Sequence, residues 1–339
     1  MNSKHPRSIS VLLTLCMLLG MLFPMAVSAA EKGVNAEDIT LYFIKEKDSE
    51  FLTLPDTAHT EFQLELNPAD QQTSYTVKSG NSVDVSDQGL ITIRYENNYY
   101  YGYIPVEGTS VVEVRSGSES YEVKVTVKDY AAEYTDNVMD DYLSQNITDN
   151  MTTYEKLKKI AVFISGYSYD YRCSSARDMI IRGGGDCFAS TDAAIIMATK
   201  LGYDAWSRYG GHDEGSGSNH RNALVYDGRD YYEVEAGYYA PAPRPNFVKK
   251  RNSLFSYVKT GEDTAEIVQY DGKTVPEELV IPAEIDGYKI TSIGENALTW
   301  KTAAKKIVLP ETIEKIGSYA FSHCEGVEEI NIPASVTEI

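Results

Sequence analysis

Cys187 is carried into the first turn of an apolar stretch by Gly183-Gly184-Gly185-Asp186. Glycines permit positive φ angles and a tight entry, and Asp186 is a favoured residue type for capping a helix start. The N–H groups of that start favour thiolate over thiol, so Cys187 is a candidate nucleophile. Such a thiol needs a base to take its proton and a group to orient the base. His220 opens an apolar segment that is followed by Asp227-Gly228, a hairpin signal. With a two-residue turn His220 faces Glu235, which puts the Cβ atoms within about 5 Å of each other. With a four-residue loop, Asp227–Asp230, Glu235 faces Asn222 instead and reaches His220 only on the diagonal. Glu233 shares that face and is the reserve. The chemistry of such a set is attack of the thiolate on a carboxamide carbon, with His220 protonating the leaving amine. The thioester then passes to water, which is hydrolysis, or to a lysine amine, which is cross-linking; both stay open.

The elements that must position these groups are legible around them. Thr152 and Glu155 form a capping box ahead of the stripe Leu157, Ile160, Ala161 and Ile164, which predicts a helix to about Gly166. A second, largely apolar helix runs from Cys187 to Gly202. Strands follow at His220–Tyr226 and Tyr231–Glu235, then a Pro-rich piece at Pro241–Pro245 and a short helix around Leu254, Phe255 and Tyr257. The succession Arg182-Gly183-Gly184-Gly185-Asp186-Cys187, then His220 with Val225-Tyr226-Asp227-Gly228, then Tyr232-Glu233-Val234-Glu235 resembles the transglutaminase-like superfamily of papain-type fold. Tyr167, Tyr169, Asp170 and Tyr171 are also in that manner. The resemblance covers roughly residues 150–260 and implies an α+β domain at 153–260, with Cys187 as nucleophile, His220 as base and Glu235 as orienting acid. It also implies Tyr169 as support for an oxyanion. Two positions depart from the family, which usually has Asp in place of Glu235 and often Trp in place of Asn222.

On the N-terminal side, Lys4 and Arg7 precede an apolar run, Val11–Phe23, and Val27-Ser28-Ala29, which reads as an export signal over residues 1–29. Residues 34–129 alternate with period two, as in Phe62, Leu64, Leu66 and in Tyr121, Val123, Val125, Val127. Turns are expected at Asp87-Gln88-Gly89 and Ser116-Gly117-Ser118. Tyr75–Asn81, Gln88–Ile91, Gly108-Thr109 and the closing Val-rich strand resemble bacterial Ig-like surface domains, which implies a β-sandwich acting as spacer or adhesion module. Tyr95, Tyr99, Tyr100, Tyr101 and Tyr103 are read as strand residues with a contact role in reserve. Residues 130–152 are read as a polar, partly helical connector. From residue 265 to 339 the chain repeats: Ile293-Gly294-Glu295-Asn296-Ala297-Leu298 recurs as Ile316-Gly317-Ser318-Tyr319-Ala320-Phe321. Such a period means a solenoid, and these residues resemble BspA-type leucine-rich repeats. The array stops inside a unit at Ile339 and is read as incomplete.

The formal charge of −19 removes nucleic acid from the expected partners, and no segment after the export signal is apolar enough to be a membrane span. The expected partner is a protein or peptide substrate, with a cell-surface or host ligand for the repeats. Four cysteines include Cys16 in the export signal, leaving Cys173, Cys187 and Cys324, an odd number, so one thiol stays unpaired. Neither a cofactor nor a metal is expected, since Cys187 and His220 lack paired ligand spacing; His212-Asp213-Glu214 is read as a solvated loop. The whole is thus expected to be an exported multidomain protein: an all-β Ig-like sandwich, an α+β transglutaminase-like domain and a leucine-rich-repeat solenoid. Its rival is an adhesin or binding protein that keeps the groove without catalysis.

Overall fold

A computed structural model describes residues 33–67, 72–100, 102–209, 220–235 and 247–339. The export signal, the His212-Asp213-Glu214 loop and Pro241–Pro245 lie outside the described residues. The chain divides into two compact units, one formed by the residues up to Leu41 with His59–Val127, the other by Tyr42–Ala58 with Lys128–Ile339.

The first unit is built of β-strands. Gly108–Ser116 and Glu119–Asp129 form an antiparallel hairpin in which Ser116 faces Glu119, so Gly117, at φ 60°, and Ser118 make the turn. Val112, Val114, Val123, Val125 and Val127 are all buried, as period-two alternation requires of a sheet with one covered face. Ser74–Ser79 and Asp38–Phe43 complete this four-stranded sheet, and Glu61–Gln63, Leu90–Ile93 and Val83–Val85 make a three-stranded one. Tyr99, Tyr100 and Tyr103 are among its most exposed side chains.

The second unit begins with helices. Helix α1, Tyr130–Asn146, is the helical part of the stretch read as a connector at 130–152, and it is packed: Met139 and Leu143 belong to the unit's apolar core, with Tyr134, Val138 and Tyr142 against it. Helix α2, Thr153–Ile164, starts on the Thr152/Glu155 capping box. Helix α3, Ala176–Arg182, ends at Gly183, and helix α4, Cys187–Lys200, follows after three residues. A four-stranded antiparallel sheet comes next, in the order Asp204–Tyr209, Arg221–Tyr226, Tyr231–Glu235, Phe247–Arg251. Helix α4 packs on the first two strands and α2 on the last two.

This sheet is covered on both sides, which is why its strands do not alternate buried with exposed residues. Ala223, Val225, Tyr232, Val234 and Val248 join the helices in one core. The opposite parity carries Arg208, Asn222, Glu233 and Glu235, all buried. Those residues meet the start of the repeat region, where Phe255–Lys259 is a strand paired with Thr264–Tyr270 and not the short helix expected around Leu254–Tyr257. Beyond it, the repeats stack in register: Ile293 pairs parallel with Ile316 and Ile307 with Ile330, each one repeat apart. Leu279, Ile290, Ile293, Leu298, Ile307, Ile313 and Ile316 fill the solenoid interior. Gly317 is required by its neighbours, since a Cβ there would lie 2.7 Å from the Glu295 backbone nitrogen.

Candidate active site

The three glycines ahead of Cys187 do different work. Only Gly183 takes a positive φ, 80°, closing α3 in the left-handed conformation. Gly184 and Gly185 are needed for close approach: a Cβ on Gly185 would sit 2.7 Å from the Cβ of Ala189 and 3.0 Å from that of Met179. The pair also forms a short parallel ladder with Ser168–Tyr169. Tyr169 is thereby placed opposite Gly185, two residues before Cys187, with its ring 44% exposed.

Asp186 caps α4 through Oδ1, which accepts from the N–H groups of Phe188 at 2.9 Å and Ala189 at 3.0 Å. Its Oδ2 accepts from the Ser174 hydroxyl at 2.6 Å. The cap alters the expected chemistry in two ways. The two N–H groups after Cys187 are committed, so an oxyanion there would have to be met by other donors. The cap's own negative charge also offsets the positive end of the helix.

The hairpin that carries His220 has the longer of the two loops considered. Tyr226 faces Tyr231 and Leu224 faces Glu233, so Asp227–Asp230 is a four-residue loop and the two-residue turn is corrected. The cause is the Asp227 side chain, whose Oδ1 accepts from the N–H groups of Arg229 and Asp230 at 3.0 and 2.8 Å and holds the wider turn. His220 and Glu235 meet nonetheless, on the diagonal: His220 Nε2 and Glu235 Oε2 are 2.6 Å apart. Glutamate's extra methylene over aspartate suits that longer reach. The His220 side chain also interacts with the Cys187 thiol.

His220 is largely buried, its side chain 12% exposed. Burial disfavours its charged form, but the hydrogen bonds to Cys187 and Glu235, and the charges of both, prevail and raise its pKa from 6.5 to about 9. An imidazolium that stable near neutrality is what a thiolate partner needs. Cys187 is partly exposed, whereas Cys173 is buried; neither they nor Cys324 form a disulfide among the described residues. Burial, with Asp170 adding to it, pushes the Cys173 thiol up, so the two cysteines stand in contrasting surroundings.

Glu233 is not on His220. It is held by Arg208 at 2.7 Å and Arg251 at 3.3 Å, and burial pushes its carboxyl up against the pull of those guanidiniums. Asn222 lies between the two glutamates: its Nδ2 donates to Glu233 Oε1 at 2.9 Å and to Glu235 Oε2 at 3.3 Å. The Arg221 guanidinium lies over the rings of Phe188, at 4.1 Å, and Tyr209, at 4.3 Å. Sequence reasoning missed Arg208, Arg221, Arg251 and the Asp204–Tyr209 strand. The available signal was Arg208 between Trp206 and Tyr209 in a short strand ahead of His220. Among the described residues no group of three or more His, Cys, Asp or Glu side chains is placed to hold a metal ion, and no helix is long and apolar enough to cross a membrane.

Comparison with known proteins first defines the class of the C-terminal part. Residues 282–339 match the family model described as BspA type Leucine rich repeat region (6 copies), consistent with the parallel ladders above. None of the curated proteins matches the chain. Among solved structures the chain is similar to the T. pallidum Leucine Rich Repeat protein, at 27% identity over 24% of this chain and 38% of that one, TM-score 0.23. It is also similar to a leucine-rich repeat protein from Bacteroides ovatus, at 31% identity over 25% of this chain and 23% of that one, TM-score 0.23. A structure described as a TGase is similar at 14% identity over 34% of each chain, TM-score 0.28. The chain spans well under half the length of each of these three proteins.

Proposed function

We propose that the chain is a cysteine-dependent acyl-transfer enzyme acting on peptide carboxamides, with Cys187 as nucleophile, His220 as base and Glu235 as the group that orients it. The observation that carries the reading is His220, whose Nε2 lies 2.6 Å from Glu235 Oε2 and whose side chain also interacts with the Cys187 thiol. Cys187 Sγ attacks the carboxamide carbon while His220 takes the thiol proton. The C–N bond breaks, the amine leaves with that proton, and the acyl group stays on sulfur as a thioester. Water then releases a carboxylic acid, or an amine releases a new amide. Glu235 holds the imidazole in place and favours its charged form. Tyr169, across from Gly185, is the candidate oxyanion donor in place of the N–H groups that Asp186 occupies.

The Ig-like character of the first unit, export through residues 1–29 and a surface location belong to the same proposal, supported by the β-strand composition of that unit and by the repeat family. A binding role for the repeats is favoured by one specific feature, the exposed Trp300 stacked on His323 at 4.0 Å in the equivalent position of the next repeat. The test is incubation of the full chain with protein substrates and a tagged primary amine, read by mass spectrometry. Amine incorporation or new carboxyl groups that vanish in Cys187→Ala support the enzyme. Neither product from any substrate, together with a Cys187 no more reactive than a free thiol, would leave only the binding reading.

A further inference from the structure

The charged side of the four-stranded sheet carries an unbroken series of contacts from His220 into the repeat region. Arg208 bridges Glu233 at 2.7 Å and Asp271 at 3.4 Å. Arg251 bridges the same two carboxylates, at 3.3 and 3.2 Å. The result is a closed square of two guanidiniums and two carboxylates, and all four side chains are at least nine-tenths buried. Asp271 is itself fixed by the Ser256 hydroxyl at 2.5 Å and the Gln269 amide at 2.7 Å. Its backbone is pinned as well, its N–H donating to Leu254 O at 2.7 Å and its carbonyl accepting from Trp206 Nε1 at 2.8 Å.

From the square, Glu233 passes the constraint to Asn222, whose single Nδ2 serves both glutamates, and Asn222 passes it to the Glu235 oxygen that meets His220. Glu233 and Glu235 are two residues apart on one face of a strand, so their charges repel. The two arginines hold Glu233, and Asn222 spans the gap. Counted together, Glu233, Glu235 and Asp271 carry three negative charges and the arginines two positive. The set is balanced when His220 is an imidazolium.

We propose that Asp271, just after the Thr264–Tyr270 strand of the repeat region, is a positioning residue for the Cys187–His220–Glu235 site, acting through Arg208, Arg251, Glu233 and Asn222. This rests on the acyl-transfer reading and adds to it. The first turn of the repeat region is part of the site's framework, while the later repeats stay available for binding. Asp271 does not touch the reacting atoms. Its effect reaches them through the direction of one carboxylate, and small misplacements of such groups cost large factors in rate.

The charged and titratable groups bonded to His220 or linked to it through the network are Cys187 on α4, Glu235 and Glu233 on the Tyr231–Glu235 strand, Arg208 on the Asp204–Tyr209 strand, Arg251 on the outer strand and Asp271. Arg221 is next to His220 in sequence. In the full chain, Asp271→Asn removes a charge from this set and loosens both arginines. The His220 titration midpoint, read by NMR, is expected to fall by about half a unit or more, and iodoacetamide labelling of Cys187 to slow about tenfold. Asp271→Glu should recover part of both. Wild-type values in a folded Asp271→Asn chain would overturn the proposal. Where Asp271→Asn does not fold by circular dichroism, Ser256→Ala removes one donor to Asp271 without altering charge. A smaller shift in the same direction then supports the proposal, and an unmoved midpoint overturns it. The two readings fail separately: labelling that ignores His220→Ala sinks the enzyme, while the His220 midpoint still tests the positioning.

Discussion

Replacing Glu235 by glutamine keeps the shape of the side chain and removes its charge, so its consequences can be worked from the His220 surroundings. The imidazolium is favoured over its ordinary state by the interval from 6.5 to about 9, which at about 1.4 kcal/mol per unit is about 3 kcal/mol. Burial opposes that charge and is the largest single influence, and it remains in Glu235→Gln. Of the two groups that favour the imidazolium directly, only Cys187 then remains. The His220 midpoint should drop from about 9 towards the ordinary value, by about one unit or more. Because the folded value is raised, the native state holds a proton between pH 6.5 and about 9 that the unfolded state lacks. The stabilisation is therefore complete below about pH 6.5 and lost as pH rises through about 9. The assay is NMR of the His220 Cε1–H from pH 5 to 10 in the full chain, with His220→Gln identifying the resonance. Denaturant unfolding of the second unit at pH 6 and pH 9.5 is the companion measurement. A wild-type midpoint near 6.5, or one that Glu235→Gln leaves in place, would refute the coupling.

The remaining predictions concern the two ends of α4. Asp186→Ala removes the acceptor of two helix N–H groups and should cost about 1–2 kcal/mol, seen as a lower unfolding midpoint; an unchanged midpoint would mean the cap carries no weight. Gly185→Ala forces a Cβ against Ala189 and Met179 and should cost about 1–3 kcal/mol. Gly202→Ala, with no atom within 4 Å of the added Cβ but φ at 85°, should cost about 1 kcal/mol through backbone strain alone. Equal losses at the two glycines would contradict the packing argument.

How much of this was legible follows from the range of the interactions involved. The start of α4 was readable because its signals are local, a glycine run, an Asp cap and an apolar stretch. The repeats were readable because they repeat, and Ile293 with Ile316 confirms the register. Loop length stayed open between two and four residues because Asp227-Gly228 signals a tight turn, while the Asp227 side chain competes with it by binding two backbone N–H groups. Helix α1 was read only as the partly helical stretch of a connector, because its four acidic residues mask the narrow stripe of Tyr134, Val138, Met139 and Tyr142 that reaches the core. The Phe255–Lys259 strand was taken for a helix, since a run of three apolar residues carries no period of its own. The buried square was out of reach: Arg208, Glu233, Arg251 and Asp271 are brought together only when the sheet has formed and the repeat region has covered its charged face.

The central claim is that Cys187 owes its reactivity to His220, and site-resolved alkylation measures that directly. Wild-type chain and His220→Ala are treated with iodoacetamide at pH 7, and the three described cysteines are followed by peptide mass spectrometry, with buried Cys173 as the internal control. Cys187 is expected to be labelled first in the wild type and about tenfold or more slowly in His220→Ala, with Cys173 unchanged. Equal rates at Cys187 in the two proteins would contradict the account.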